Sequence, residues 1–174
     1  MSPTVTDVQI FTAVRALLLA IVPAGVDVLR GEVNRVPEPI GPNFVILSPR
    51  TRVRLSTPVE SWTGAAPAGM TVETSFDVAV QLDVHGPLSA DIASVIVGAL
   101  HSSWAFDALA AQSPAVLSPL YCSDPQSMPF VGDTQQTEWR YVIEAHFEAK
   151  PALSTPQDFA DNLAAQVVKA DSGP

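Results

Sequence analysis

The sequence predicts an α+β fold. It reads as a single domain with a mixed, mostly antiparallel β-sheet and helices packed on it, in the order α-β-β-β-α-β-β-α. Three observations lead there. Apolar residues recur at helical spacing behind a capping threonine near the N-terminus. Two stretches, around residues 76–85 and 139–149, alternate apolar and polar side chains with the period of a half-buried strand. A second capped helical pattern follows the first alternating stretch, and a third closes the chain. At 174 residues the chain has the length of one domain with a sizeable core. Residues 1–169 are assigned to that domain and 170–174 to a disordered tail.

The elements are justified in order. Thr6 can cap a helix from Asp7 to Val22, with Asp7 where the helix dipole favours an acid. Phe11, Val14, Leu18 and Ile21 would form its buried stripe, and Pro23 and Gly25 stop it. Residues 26–29 suit a short strand. Pro37, Pro39 and Pro42 then forbid a helix and remove ladder donors, so this stretch is an extended connection. Phe44 to Ser56 reads as a long strand in which period two places Arg50, Arg52 and Arg54 on one face. Residues 57–69 form a loop or hairpin tip of small residues around Trp62. Met70 to His85 reads as one strand, with Phe76, Val78, Val80, Leu82 and Val84 facing the core and Asp77, Gln81, Asp83 and His85 facing away. Gly86 and Pro87 break it. Ser89 can cap a helix over 90–102 whose apolar face is Ile92, Val95, Ile96 and Leu100, with a helical turn at 106–110 after it. Residues 116–121 form a short strand and 122–138 a loop. Trp139 to Ala149 is the last strand, its core side being Trp139, Tyr141, Ile143 and Phe147. Thr155, with Pro156 at the first helical position and Asp158 three residues after the cap, signals the third helix. Phe159, Leu163 and Val167 would dock it.

Composition narrows the function classes. Hydrophobic residues make up 47% and charged residues 16%, so the chain can fill a core and still have apolar surface to hide against partners. The net charge of −9 argues against gripping DNA, which needs a positive surface to displace counterions. Cys122 stands alone, which excludes an internal disulfide framework and fits a reducing compartment. As a nucleophile it would need a base that the sequence cannot place; the plainer reading is a small residue beside a strand end. The uncharged run at 16–26 is much shorter than the roughly 20 residues of a membrane span. Asp7 before it and Arg15 only at its edge do not make the positive flank of a signal peptide. No membrane partner is expected.

Chemical motifs are missing. There is no nucleophile elbow, no H-E-x-x-H, no phosphate-binding loop and no C-x-x-C. Asp83 with His85, or Glu144, His146 and Glu148, share strand faces and could touch a metal, but an exposed polar strand face gives the same spacing by default. His101 lies near a helix end, where a cation is favoured. Trp139 and Trp104 read as core, whereas Trp62 reads as a partner contact, since aromatics in exposed loops are common interface anchors. No catalytic residue, cofactor or metal is assigned, and the chain is not read as an enzyme.

Charge is unevenly placed. Five of the nine basic residues lie between Arg30 and Arg54, while residues 55–139 hold nine acids and no Lys or Arg. A subunit with a basic patch and an acidic surface can join copies of itself head to tail, and such contacts close into a ring when the rotation allows. Arg50, Arg52 and Arg54 are candidates for one side of that contact. They read equally well as a solvated strand face with local ion pairs.

Several turn and strand-end signatures point to a family. These are Val33-Asn34-Arg35-Val36-Pro37-Glu38-Pro39, Gln81-Leu82-Asp83-Val84-His85-Gly86-Pro87, Pro119-Leu120-Tyr121 with Asp124-Pro125, and Pro129-Phe130. In order and spacing, across nearly the whole chain, they resemble tailed-bacteriophage neck or tail-terminator-like proteins. The segment at 33–39 is the most specific, and 57–69 departs from the pattern. The resemblance implies a structural virion protein at the head-tail junction, made in the host cytoplasm. It implies a homo-oligomeric ring, hexameric, that ends the tail tube and meets a tail tube protein on one side. A head-tail connector or head-completion protein would lie on the other, with DNA passing through the lumen without sequence-specific binding. The alternative is another morphogenesis role, a head-completion, connector or tail tube subunit. A small metal-binding enzyme is the third reading.

Overall fold

Thr6 opens the first helix as its pattern requires. In the computed structural model, described for residues 3–31, 39–63, 69–131 and 137–156, its hydroxyl accepts from the Gln9 amide while the Gln9 side chain accepts from the Thr6 amide. This reciprocal cap satisfies two donors that a helix end otherwise leaves open. The helix, α1, runs Asp7–Leu19 and stops short of Pro23. Ile10, Ala13, Val14, Leu17 and Leu18 are its buried residues, so the buried stripe sits slightly rotated from the expected one and Phe11 and Ile21 are only partly covered. Leu17 and Leu18 are each almost fully buried, worth roughly 1.5–3 kcal/mol apiece.

The strands are β1 (Asp27–Arg30), β2 (Phe44–Arg54), β3 (Val59–Thr63), β4 (Gly69–Glu73), β5 (Phe76–His85), β6 (Ser118–Cys122), the short β7 (Gln126–Ser127), β8 (Phe130–Val131) and β9 (Thr137–Glu138), then β10 (Arg140–Ala149) and β11 (Ala152–Pro156). The main sheet has the order β1-β2-β5-β10-β6, with β7 also paired to β10. Only β1 and β2 run parallel within it, so the sheet is mixed and mostly antiparallel, as predicted. Helices α2 (Ser89–Leu100) and α3 (Ser103–Ala110) join α1 over one face. Val45, Leu47, Val80, Leu82, Ile143 and Phe147 project from the strands into this single core. The fold is α+β.

Several boundaries differ from expectation, each for a physical reason. The stretch 70–85 is two strands: β4 leaves the main sheet and pairs with β3 and β11 in a separate three-stranded sheet of order β11-β4-β3. Within 57–69, Val59–Thr63 and Gly69 are therefore hairpin strand, with Trp62 on β3 opposite Met70. Pro156 ends β11 opposite Gly69, so the first helical position assigned to it is a strand position. The remainder of the expected third helix, the tail at 170–174 and most of the segment at 33–39 lie outside the described residues. Ser89 makes no capping bond; it is buried in the first turn of α2, behind Leu88 at the cap position. Trp139 is 60% exposed and Trp104 is 40% exposed, so neither is core. Trp139 lies just before β10, where the alternation that buries Tyr141 and Ile143 has not yet begun.

Candidate interaction surfaces

The face of the main sheet opposite α1, α2 and α3, on which no helix lies among the described residues, carries most of the sheet's polar side chains. Registry places Phe44, His85 and Arg140 in one row across three strands, then Ile46, Asp83 and Val142, then Ser48, Gln81 and Glu144. Gln81, Asp83 and His85 are nonetheless buried, because β5 is the middle strand and long neighbours fold over it. Arg140 donates to Asp83 Oδ1 from Nε at 3.1 Å and Nη2 at 2.6 Å, and the Gln81 amide donates to both Asp83 oxygens at 2.8 Å. Farther along, His146 Nδ1 lies 2.9 Å from Asp77 and its ring stacks on Tyr121 at 4.1 Å. The groups weighed as metal ligands are thus engaged with protein partners, and among the described residues no three His, Cys, Asp or Glu side chains are arranged to hold a metal. Asp77, Asp83, Glu144 and Glu148 make this face rich in acid.

His85 stacks on Phe44, ring centroids 4.6 Å apart. Burial, the largest cause, pushes its imidazole below the ordinary 6.5; Asp83 opposes it, and the smaller effects of Arg140, lowering, and Glu138, raising, follow. A base whose folded pKa is lowered takes up its proton more readily in the unfolded chain. Its contribution is complete above the unfolded pKa and is lost as pH falls toward the folded one. Urea unfolding between about pH 7.5 and 5 should therefore show a steeper loss for the natural chain than for His85→Phe, which keeps a ring on Phe44. Parallel pH profiles would refute this.

Cys122 ends β6 inside the core, its Sγ 3.5 Å from His101 Nε2, where α2 ends. A base is thus nearby, which the sequence did not place. Burial raises the thiol pKa, the reverse of what an activated nucleophile needs.

The second surface is the outer half of β2. A register shift between Pro49 and Arg52 inserts one extra residue against β5. The bulge breaks period two, so the three arginines do not share one face. Arg52 pairs with Val78 and Arg54 with Phe76, on the helix side, and Arg52 forms an ion pair with Asp7 at the start of α1. Arg50 borders the opposite side, beside Gln81 and Glu144. The bulge also opens a cavity of about 240 Å³ between α1 and the sheet. Ile10, Phe11, Val14, Leu47, Val78 and Val80 line it. Arg30, stacked over Phe11 at 5.4 Å, stands at its rim with Arg50 and Arg52.

The third surface is the small sheet. Every residue of β3 is exposed. Val53, Leu55, Val59 and Trp62 are exposed apolar side chains on and beside this hairpin, Trp62 being 53% exposed and on the face of β3 opposite to Val59. Among the described residues β3 has a partner on one side only, so its other edge offers backbone groups for further pairing. Sequence reasoning found Trp62 from its small-residue surroundings but missed the sheet that carries it.

A family model described as phage neck terminator protein matches residues 8–171. The chain belongs to that family. A search of curated proteins finds no match. The neck terminator family is structural, which places this chain in the virion at the head-tail junction, associated with tail and head proteins. Among the described residues of this neck terminator, no single helix is long and apolar enough to cross a membrane.

Proposed function

We propose that copies of this neck terminator close into a hexameric ring that ends the tail tube, joins the tail to a head connector or head-completion protein, and lets DNA through its lumen. One observation carries the reading: the described residues build a core of their own yet extend a three-stranded arm whose β3 edge has no partner among them and whose Trp62 and Val59 are exposed. A surface of that kind is an association surface. The basic outer end of β2 and the acid-rich sheet face provide unlike sides for a head-to-tail contact, the type that closes into rings. The acidic face is suited to a lumen wall, since it attracts no phosphate and lets DNA slide.

A phage lacking this gene should assemble tails of uncontrolled length that stay without heads. Tails of normal length beside unattached heads would favour a connector role, and complete particles would reject both. In purified protein, Arg50→Glu with Arg54→Glu should lower the oligomer mass; Arg52 is left intact because it pairs with Asp7 within the chain. Trp62→Ala should impair head-tail joining in complementation while changing stability by no more than about 0.5 kcal/mol, as for other exposed sites. A large stability loss would make Trp62 a packing residue instead.

A further inference from the structure

We propose that the cavity between α1 and the β2 bulge receives the C-terminal segment of a second copy of this chain, with Phe159 as the inserted side chain. The inference rests on the ring reading and names one of its subunit contacts. The cavity, about 240 Å³, has room for one large apolar side chain, and its floor is made of Ile10, Val14, Leu47 and Val78. An apolar site of about 150 Å³ already accepts a benzene-sized ring. Its rim is basic, from Arg30, Arg50 and Arg52, and only Arg52 has an acidic partner among the described ion pairs. The matching ligand is an apolar side chain flanked by acids.

Residues 157–174 contain that pattern: Asp158-Phe159-Ala160-Asp161, followed by Leu163. The two acids answer Arg30 and Arg50, which have no acidic partner among the described ion pairs, and a carboxylate beside a guanidinium forms a strong, directional contact. The path of the chain selects a neighbour's segment over its own. Ala152 is hydrogen-bonded to Thr4, close to the Asp7 end of the cavity. From there β11 carries the chain outward to Pro156, about 13 Å along the strand. The three further residues to Phe159 span at most about 10 Å. To enter its own cavity the segment would have to double back fully extended along β11, whereas an adjacent copy in a ring is under no such constraint.

The test uses the full chain with Thr51→Cys, at the cavity mouth, and Phe159→Cys. Mild oxidation should give a ladder of covalent oligomers on a non-reducing gel, absent from either single variant. An intramolecular cross-link would overturn the proposal, and so would none. A second measurement does not depend on ring formation. A labelled peptide of residues 157–174 is titrated onto full-length Phe159→Ala protein, whose own segment lacks the inserted ring. Saturable binding is expected, weakened at least tenfold by Phe159→Ala in the peptide or by Arg30→Glu with Arg50→Glu in the protein, at unchanged melting temperature. Binding that ignores both changes, or no binding, would overturn the proposal. Native mass spectrometry of the unmodified chain reports separately on the ring. A stable oligomer with no peptide binding removes this contact and leaves the ring, whereas a monomer that binds the peptide removes the ring and leaves the contact.

Discussion

Gly86→Ala should cost about 2–6 kcal/mol, the sum of an unfavourable backbone conformation and a steric clash. Gly86 has φ +105°, a region that side chains with a Cβ rarely enter. A Cβ built there would lie 2.1 Å from the Pro42 carbonyl oxygen and 2.5 Å from Asn43 Oδ1. Neither can simply move. Asn43 Oδ1 accepts from the Leu88 amide at the start of α2, and Pro42 belongs to the backbone leading into β2. The Gly86 amide also donates to the Trp139 carbonyl just before β10. One small residue thus lets three chain segments meet at the end of the main sheet. Gly98 is the control. It lies inside α2 with nothing within 4 Å of an added Cβ. Gly98→Ala should stabilise the protein by about 0.5–1 kcal/mol, the helix penalty of glycine. Urea denaturation of both variants decides the matter: a Gly86→Ala variant as stable as the natural chain would mean that neither the backbone conformation nor the Pro42 contact constrains this turn.

The contrast with Gly98 shows which parts of this fold were legible in the sequence. Gly86-Pro87 was readable as the end of a strand because those residues punctuate locally. The Thr6 cap was readable for the same reason, and the alternation in β5 and β10 because sheet burial has period two. What escaped depends on contacts between distant residues. Thr74 and Ser75 are ordinary strand residues, yet the chain changes sheets there because Thr74 bonds to Pro151 and β4 pairs with β11. The arginine stripe was counted with a period that one inserted residue cancels, and nothing in Pro49-Arg50-Thr51-Arg52 announces a bulge. Thr155-Pro156 has the chemistry of a helix start, but pairing with Met70 and Gly69 claims both residues for a strand. Of the candidate surfaces, Trp62 and the arginines were visible as residue types in unusual settings. The cavity was not, since it exists only where the bulge meets α1. Burial of the polar face was missed because alternation identifies which side chains point away from the core, not what folds over them.

That covering has an energetic consequence at Asp83. Arg140→Met should destabilise the protein by about 3 kcal/mol, the low end for removing one partner of a buried pair. The low end applies because the Arg140 side chain is 30% exposed, whereas that of Asp83 is 8% exposed. Loss of the guanidinium leaves the Asp83 carboxylate with the Gln81 amide as its remaining described donor, in a place where water cannot fully replace a charge. For a chain of this length the melting temperature should fall by roughly 6–12 °C. Asp83→Leu with Arg140→Met should recover most of the loss, because an apolar pair leaves no unpaired charge. A double variant no more stable than Arg140→Met alone would show that Arg140 acts through its packing over β5. The outcome matters for the virion as well as for the fold. Arg140 is ion-paired to Asp83 between two neighbouring strands of this sheet face, so the apolar double variant removes one charge of each sign there. If that face is the wall along which DNA travels, the double variant should assemble and eject DNA as the natural chain does, since the wall needs no phosphate-binding group. Failure of DNA passage in particles of normal shape would mean that the wall holds DNA through Arg140 and does not merely let it slide.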